Sequence, residues 1–135
     1  MRLNPHLAFN GQCEAAFRLY EKLFAGEITL LLTYGSSPIT STAPGMEDKI
    51  LHATLKIGDQ VLTGADVPPE RYEKPQGFAV QLNIDDPSEA EQIFHTLAEG
   101  GIVQFPIQPT FWATRYGILT DPFGTPWEIN CGRAS

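Results

Sequence analysis

The feature that most constrains this chain is an internal repeat. Ala16, Leu19, Tyr20, Leu23, Gly26 and Ile28 align at one constant offset with Ala90, Ile93, Phe94, Leu97, Gly100 and Ile102. Leu7 and Phe9 fall on Leu82 and Ile84, and Gly58 and Leu62 fall on Gly124 and Glu128, at nearby offsets. Self-similarity of this kind marks one supersecondary unit used twice, so both halves must read as the same order of elements.

Residue patterning gives that order. Leu3 to Phe9 reads as a strand, with Leu7 and Phe9 on one face and His6 and Ala8 on the other. Asn10 to Gly26 reads as a helix: Ala16, Phe17, Tyr20, Leu23 and Phe24 form one stripe, Asn10 caps the start and Gly26 ends it. Ile28 to Tyr34 has the Leu, Thr and Ile content of a buried strand, and Gly35 to Glu47 is a loop long enough to act as a lid. Lys49 to Ile57 and Gln60 to Ala65 form a hairpin about Gly58-Asp59, and Asp66 to Gln76, with three prolines and five charges, reads as a linker.

The pattern then restarts. Phe78 to Ile84 alternates as a half-buried strand, Asp86-Pro87-Ser88-Glu89 opens a helix, and Gly100-Gly101 closes it. Ile102 to Ile107 is a strand and Gln108 to Arg115 a loop. Tyr116 to Asn130, YGILTDPFGTPWEIN, is a hairpin turning at Asp121-Pro122-Phe123-Gly124. Alternation puts Trp127, Ile129 and Cys131 on one face of its returning strand and Pro126, Glu128 and Asn130 on the other. Each half is therefore strand, helix and three strands. A helix on one face of a small sheet leaves the other free, which predicts an α+β fold of two paired βαβββ modules forming a curved mixed sheet around a central cavity. We read residues 1–135 as a single domain, with module 1 at 1–66, a linker at 67–76 and module 2 at 77–135.

Charge and cysteine usage exclude several classes of partner. The net charge of -7, from 16 acidic and 9 basic side chains without a basic cluster, argues against nucleic acid. Ile28 to Met46 is uncharged but holds two prolines and two glycines, so no membrane span is expected, and the N-terminus lacks a signal peptide's apolar core. Cys13 and Cys131, with no CxxC spacing, suit a reducing cytoplasm, whether as two buried thiols or as a bridge.

The helix signature CEAAFRLYEKLFAGEI, the phrases FNGQCEAAF and ILHATLKIGDQVL, and the closing LAEGGIVQFPIQPTFWATRYGILTDPFGTPWEIN span nearly the whole chain. Together they resemble the vicinal oxygen chelate superfamily of glyoxalases, bleomycin-resistance proteins and extradiol dioxygenases, and more narrowly its PhnB-like branch. The resemblance implies the glyoxalase/bleomycin-resistance fold, a homodimer, and a ligand in the cavity of the sheet. It also implies metal ligands, His or Glu, from the first and last strand of each module, with zinc, nickel, manganese or iron as the candidate ions. Glu128 matches the last-strand position of module 2, whereas its partner in module 1 falls at Leu62. The first-strand positions fall at Asn4 or Pro5 and at Ala79 or Val80. Glu128 and Asn4 are then at most two donors, where a divalent ion normally takes three or more.

Other residues offer chemistry of their own. His52, on a polar strand face with Thr54 and Lys56, is a candidate acid, base or replacement ligand if that face lines the hollow, and a surface histidine if not; His6 is weighed in the same way. His95 reads as a surface residue. Gln81 and Asn83 are candidate hydrogen-bonding groups. Phe111 to Tyr116 supplies Trp112, Arg115 and Tyr116, which suit a small planar or anionic ligand, or else plug the end of the sheet or form a dimer contact. Glu128 is either a cavity carboxylate or an edge acid paired with Arg115 or Arg133. Two functions follow: a metal-free protein that binds a small molecule, or a metal-assisted lyase, isomerase or dioxygenase in which Glu128 or a histidine moves a proton. Methyl transfer, a label often attached to the PhnB-like branch, would need a place for S-adenosylmethionine. No glycine-rich turn after a strand opens a helix here, so none is expected.

Overall fold

A computed structural model of the chain describes residues 1–37 and 44–132. The chain divides into two compact units, Met1–Glu73 and a second beginning at Lys74. Part of the predicted lid, Gly35 to Glu47, and Arg133 lie outside the described residues.

The first unit holds β1 (His6–Phe9), α1 (Cys13–Leu23), β2 (Glu27–Thr33), β3 (Ile50–Ile57) and β4 (Gln60–Asp66), in a sheet of order β1-β4-β3-β2. The pair β1–β4 is parallel and the others antiparallel. Leu7 and Phe9 are buried beneath α1, which packs Cys13, Ala16, Phe17 and Tyr20 onto the sheet. Phe17 lies directly over Gly64, where an added Cβ would stand 2.7 Å from its ring.

Sequence and structure part at several points in this unit. The strand begins at His6 rather than Leu3. Asn10 does not cap the helix. The amide of Cys13 donates instead to the Asp66 carboxylate at 2.9 Å, and the other oxygen of Asp66 accepts from Ile50 N at 2.9 Å. Asp66, buried to 1% exposure, is therefore the tie between α1 and β3 and not the start of a linker. Gly26 does not supply the left-handed residue after α1; Ala25 does, at φ 53°. Gly26 is small because a Cβ there would meet the Lys56 carbonyl at 2.8 Å. The strand predicted to be buried, β2, is an edge strand, and Leu30 and Leu32 are exposed on it.

The second unit repeats the plan with β5 (Val80–Asn83), α2 (Pro87–Ala98), β6 (Ile102–Gln108), β7 (Arg115–Thr120) and β8 (Pro126–Cys131). Its sheet order is β5-β8-β7-β6, again with one parallel pair, β5–β8. The Asp86 side chain caps α2 by accepting from Ser88 N, with Pro87 at the first helical position. Trp127, Ile129 and Cys131 are buried beneath α2, and Pro126, Glu128 and Asn130 lie on the face away from it, as the alternation predicts. At the turn, Asp121 accepts from Phe123 N, Thr125 N and Trp127 Nε1, while Gly124 takes φ 96°. Both units are thus βαβββ with a mixed four-stranded sheet, an α+β fold.

The helix overlay read from sequence is one turn out. The buried stripes are Cys13, Ala16, Phe17 and Tyr20 in α1 and Ala90, Ile93, Phe94 and Leu97 in α2, the same i, i+3, i+4, i+7 pattern. Phe94 covers Gly117 as Phe17 covers Gly64. These glycines occupy the same cross-strand pair from opposite sides: Ala53 faces Gly64, and Gly117 faces Ile129. An apolar stripe recurs every three to four residues, so a shift of one turn still matches hydrophobic to hydrophobic.

Candidate functional site

The face of the second sheet away from α2 carries a connected set of polar side chains. Parallel register sets Gln81 beside Glu128 and Asn83 beside Asn130, and antiparallel register sets Tyr116 beside Asn130. Gln81 Nε2 donates to Glu128 Oε1, and Tyr116 OH donates to Glu128 Oε2 at 2.8 Å. Asn83 Nδ2 donates to Gln81 Oε1 at 3.3 Å, and Asn130 Nδ2 to Asn83 Oδ1 at 3.0 Å. Burial, then the hydrogen bond to Glu128 and its negative charge, raise the Tyr116 pKa, so the phenol stays a donor.

Aromatic rings stand beside this network. Tyr116 contacts Phe105 at 5.7 Å and Trp112 at 5.2 Å between ring centroids, and Phe111 meets Trp112 edge-on at 4.8 Å. A hollow of about 450 Å³ is lined by Asn83, Ile84, Asp85, Trp112, Asn130 and Gly132. The structure thus brings Gln81, Trp112, Tyr116 and Glu128 together. Arg115 does not join them: in register with buried Cys131, it turns to the α2 side and pairs with Glu91 at 3.5 Å. Asp85 and Asn130 were not singled out from sequence as ligand-facing. The signal available was that Asn130 shares alternation with Glu128.

In the first unit His6 and His52 stand together, their rings stacked at 6.0 Å and 20° on the face away from α1. His6 Nδ1 lies 2.7 Å from Thr63 Oγ1. His6 is exposed at the surface, and partial desolvation of its ring, then the neighbouring His52, lower its pKa from the usual 6.5. His95 is exposed on α2. Cys13 and Cys131 are free and buried, and burial pushes both thiols up, Asp66 adding to the effect at Cys13.

Register also corrects the assignment of ligand positions. Glu128 pairs with Gln81, and the equivalent pair of the first sheet is Thr63 with His6. Leu62 is buried under α1, on the wrong face to be Glu128's counterpart. The four first- and last-strand positions are therefore His6, Thr63, Gln81 and Glu128, not Asn4 or Pro5 and Ala79 or Val80. That set offers one imidazole, one hydroxyl, one amide and one carboxylate, and both carboxylate oxygens already accept hydrogen bonds. Taken unit by unit, His6 with Thr63 and Gln81 with Glu128 each offer two donors, fewer than the three or more protein groups a divalent ion normally takes. Within each unit, among the described residues, no three His, Cys, Asp or Glu side chains cluster as metal ligands do.

Solved structures share this architecture. The crystal structure of protein PA1353 from Pseudomonas aeruginosa is 41% identical with a TM-score of 0.91, covering 99% of both chains. The putative 3-demethylubiquinone-9 3-methyltransferase, PhnB protein, from Bacillus cereus has a TM-score of 0.83 at 24% identity, covering 98% of this chain and all (100%) of that one. The fosfomycin resistance protein FosX from Mesorhizobium loti, at 14% identity and a TM-score of 0.63, shares the fold over 98% of this chain and 91% of its own. The fold is that of the glyoxalase and bleomycin-resistance proteins of the vicinal oxygen chelate superfamily. A family model described as 3-demethylubiquinone-9 3-methyltransferase matches residues 1–130, and the chain belongs to that PhnB-like family. Protein YjdN of Escherichia coli strain K12 is 30% identical over 139 residues, 96% of this chain and 95% of the relative.

Proposed function

We propose that this protein binds a small molecule on the Glu128 face of its second unit, without a metal ion and without methyl transfer. The observation that carries the reading is Glu128 itself. It is a half-buried carboxylate whose two oxygens are held by Gln81 and Tyr116, next to a hollow walled by Trp112. Fixed polar groups beside aromatic surface are how small-molecule sites combine orientation with apolar contact. The metal-assisted alternative is opposed within each unit, where His6 with Thr63 and Gln81 with Glu128 supply only two donors apiece. Methyl transfer is opposed by two mixed four-stranded sheets, which lack the doubly wound sheet and glycine-rich turn of the common nucleoside-binding domain.

The same reading includes a homodimer, supported by Leu30 and Leu32 on β2 and Ile102 and Val103 on β6, all exposed on edge strands. A cytoplasmic setting is supported by two free thiols. Among the described residues no helix is long and apolar enough to cross a membrane. The test is a thermal-shift screen of small aromatics and phosphonates, with and without added zinc, nickel, manganese or iron. The expected hit raises the melting temperature without metal, is recovered unchanged, and loses at least tenfold in affinity in Glu128→Gln and Tyr116→Phe. Conversion of the compound to a product moves the protein to the enzymes.

A further inference from the structure

We infer that the hollow beside Trp112 is a subsite for a planar cation bearing paired N–H donors, an aryl amidinium or guanidinium. The inference rests on the binding role proposed above and adds the charge and shape of the group bound. Its origin is the direction of the amide chain. An ionised carboxylate only accepts hydrogen bonds, so Glu128 forces Gln81 to present Nε2 to it. Gln81 Oε1 must then accept, which it does from Asn83 Nδ2, and Asn83 Oδ1 accepts from Asn130 Nδ2. Every amide in the run is thereby oriented, and the chain ends on the carbonyl oxygen of Asn130, a residue that lines the hollow. Aligned hydrogen bonds polarise one another, so this terminal oxygen is a stronger acceptor than an isolated amide.

The remaining wall has the same sign. Asp85 lines the hollow, its backbone carbonyl accepts from the Cys131 thiol at 3.6 Å, and its carboxylate has no ion pair among the described residues. No Lys or Arg is among the lining residues, and Arg115 is held on the opposite face by Glu91. Trp112 contributes an aromatic ring that is 45% exposed. Two acceptors beside an indole recognise a flat cation through charge-assisted hydrogen bonds and a cation–π contact, and they repel a flat anion. The expectation from sequence is a small planar or anionic ligand, and its anionic half depends on Arg115, which pairs with Glu91 instead.

Benzamidinium and benzoate test this as a pair, with the same ring and opposite charge. Titration at pH 7, followed by NMR at the Trp112 indole N–H and the Asn130 side-chain amide, should show benzamidinium shifting both and benzoate neither. Asp85→Asn and Trp112→Ala should each weaken benzamidinium at least tenfold. Glu128→Gln should weaken it severalfold from outside the hollow, because a second amide can also donate and so frees the chain to reverse. The inference is overturned if benzoate shifts Trp112 as strongly as benzamidinium, if neither probe does, or if Asp85→Asn leaves the affinity within twofold. Those outcomes leave the broader binding role standing, which fails separately if screening hits ignore Glu128→Gln and Tyr116→Phe.

Discussion

Two buried carboxylates, Asp66 and Asp121, hold local geometry in this protein, and a third, Glu128, is the one we propose for recognition. Asp121, 3% exposed, satisfies two turn amides and the Trp127 indole, so removing it strands three donors at the tip of the β7–β8 hairpin. Asp121→Ala should cost about 2–4 kcal/mol in chemical denaturation, within the range for breaking a buried hydrogen-bonded network. Glu128 differs in being half-buried and bonded to groups that a ligand can replace. His6 predicts a pH dependence. Its folded pKa lies below the unfolded value near 6.5, so the unfolded chain takes up a proton first as pH falls. Stability should be full above pH 6.5 and decline below it, and the melting temperature of a His52→Gln variant should decline less, because a like charge is gone.

At the scale of elements, the two units solve one packing problem with the glycine on different strands. Phe17 over Gly64 and Phe94 over Gly117 each leave no room for a methyl, a Cβ at Gly117 coming within 2.6 Å of the Phe94 ring. Gly117→Ala should destabilise by about 1–3 kcal/mol, measured by urea unfolding, and a smaller residue at Phe94 should recover part of the loss. Such pairings explain what the sequence could and could not reveal. Alternation alone gave the faces of β8, because a period of two is fixed by the pleat and Trp127 and Ile129 declare the packed side. The helix register and the Glu128 counterpart slipped. An apolar stripe tolerates a shift of one turn, and a strand offset one residue out exchanges Thr63 for Leu62 and so swaps faces. Asp66 was hidden for another reason: its partners, Cys13 and Ile50, are far away in sequence.

For the whole molecule, the order of elements in each unit, the α+β class and the family were legible from the repeat and the closing hairpin. The chemistry was less so, because it turns on which side chains a register brings together. His6, Thr63, Gln81 and Glu128 are set by strand pairing, and the turning of Arg115 toward Glu91 depends on where α2 lies. With two such donors in each unit, elemental analysis of purified protein should find zinc, nickel, manganese and iron well below one ion per chain. The central claim is that Glu128 and its hydrogen-bonded neighbours bind a small molecule with no metal between them. Its most direct test is isothermal titration of a screening hit, in the presence of a strong chelator, into the native protein and Glu128→Gln. Binding that survives the chelator and falls at least tenfold in the variant is the predicted result. Binding abolished by the chelator, or unchanged by loss of the carboxylate, would contradict it.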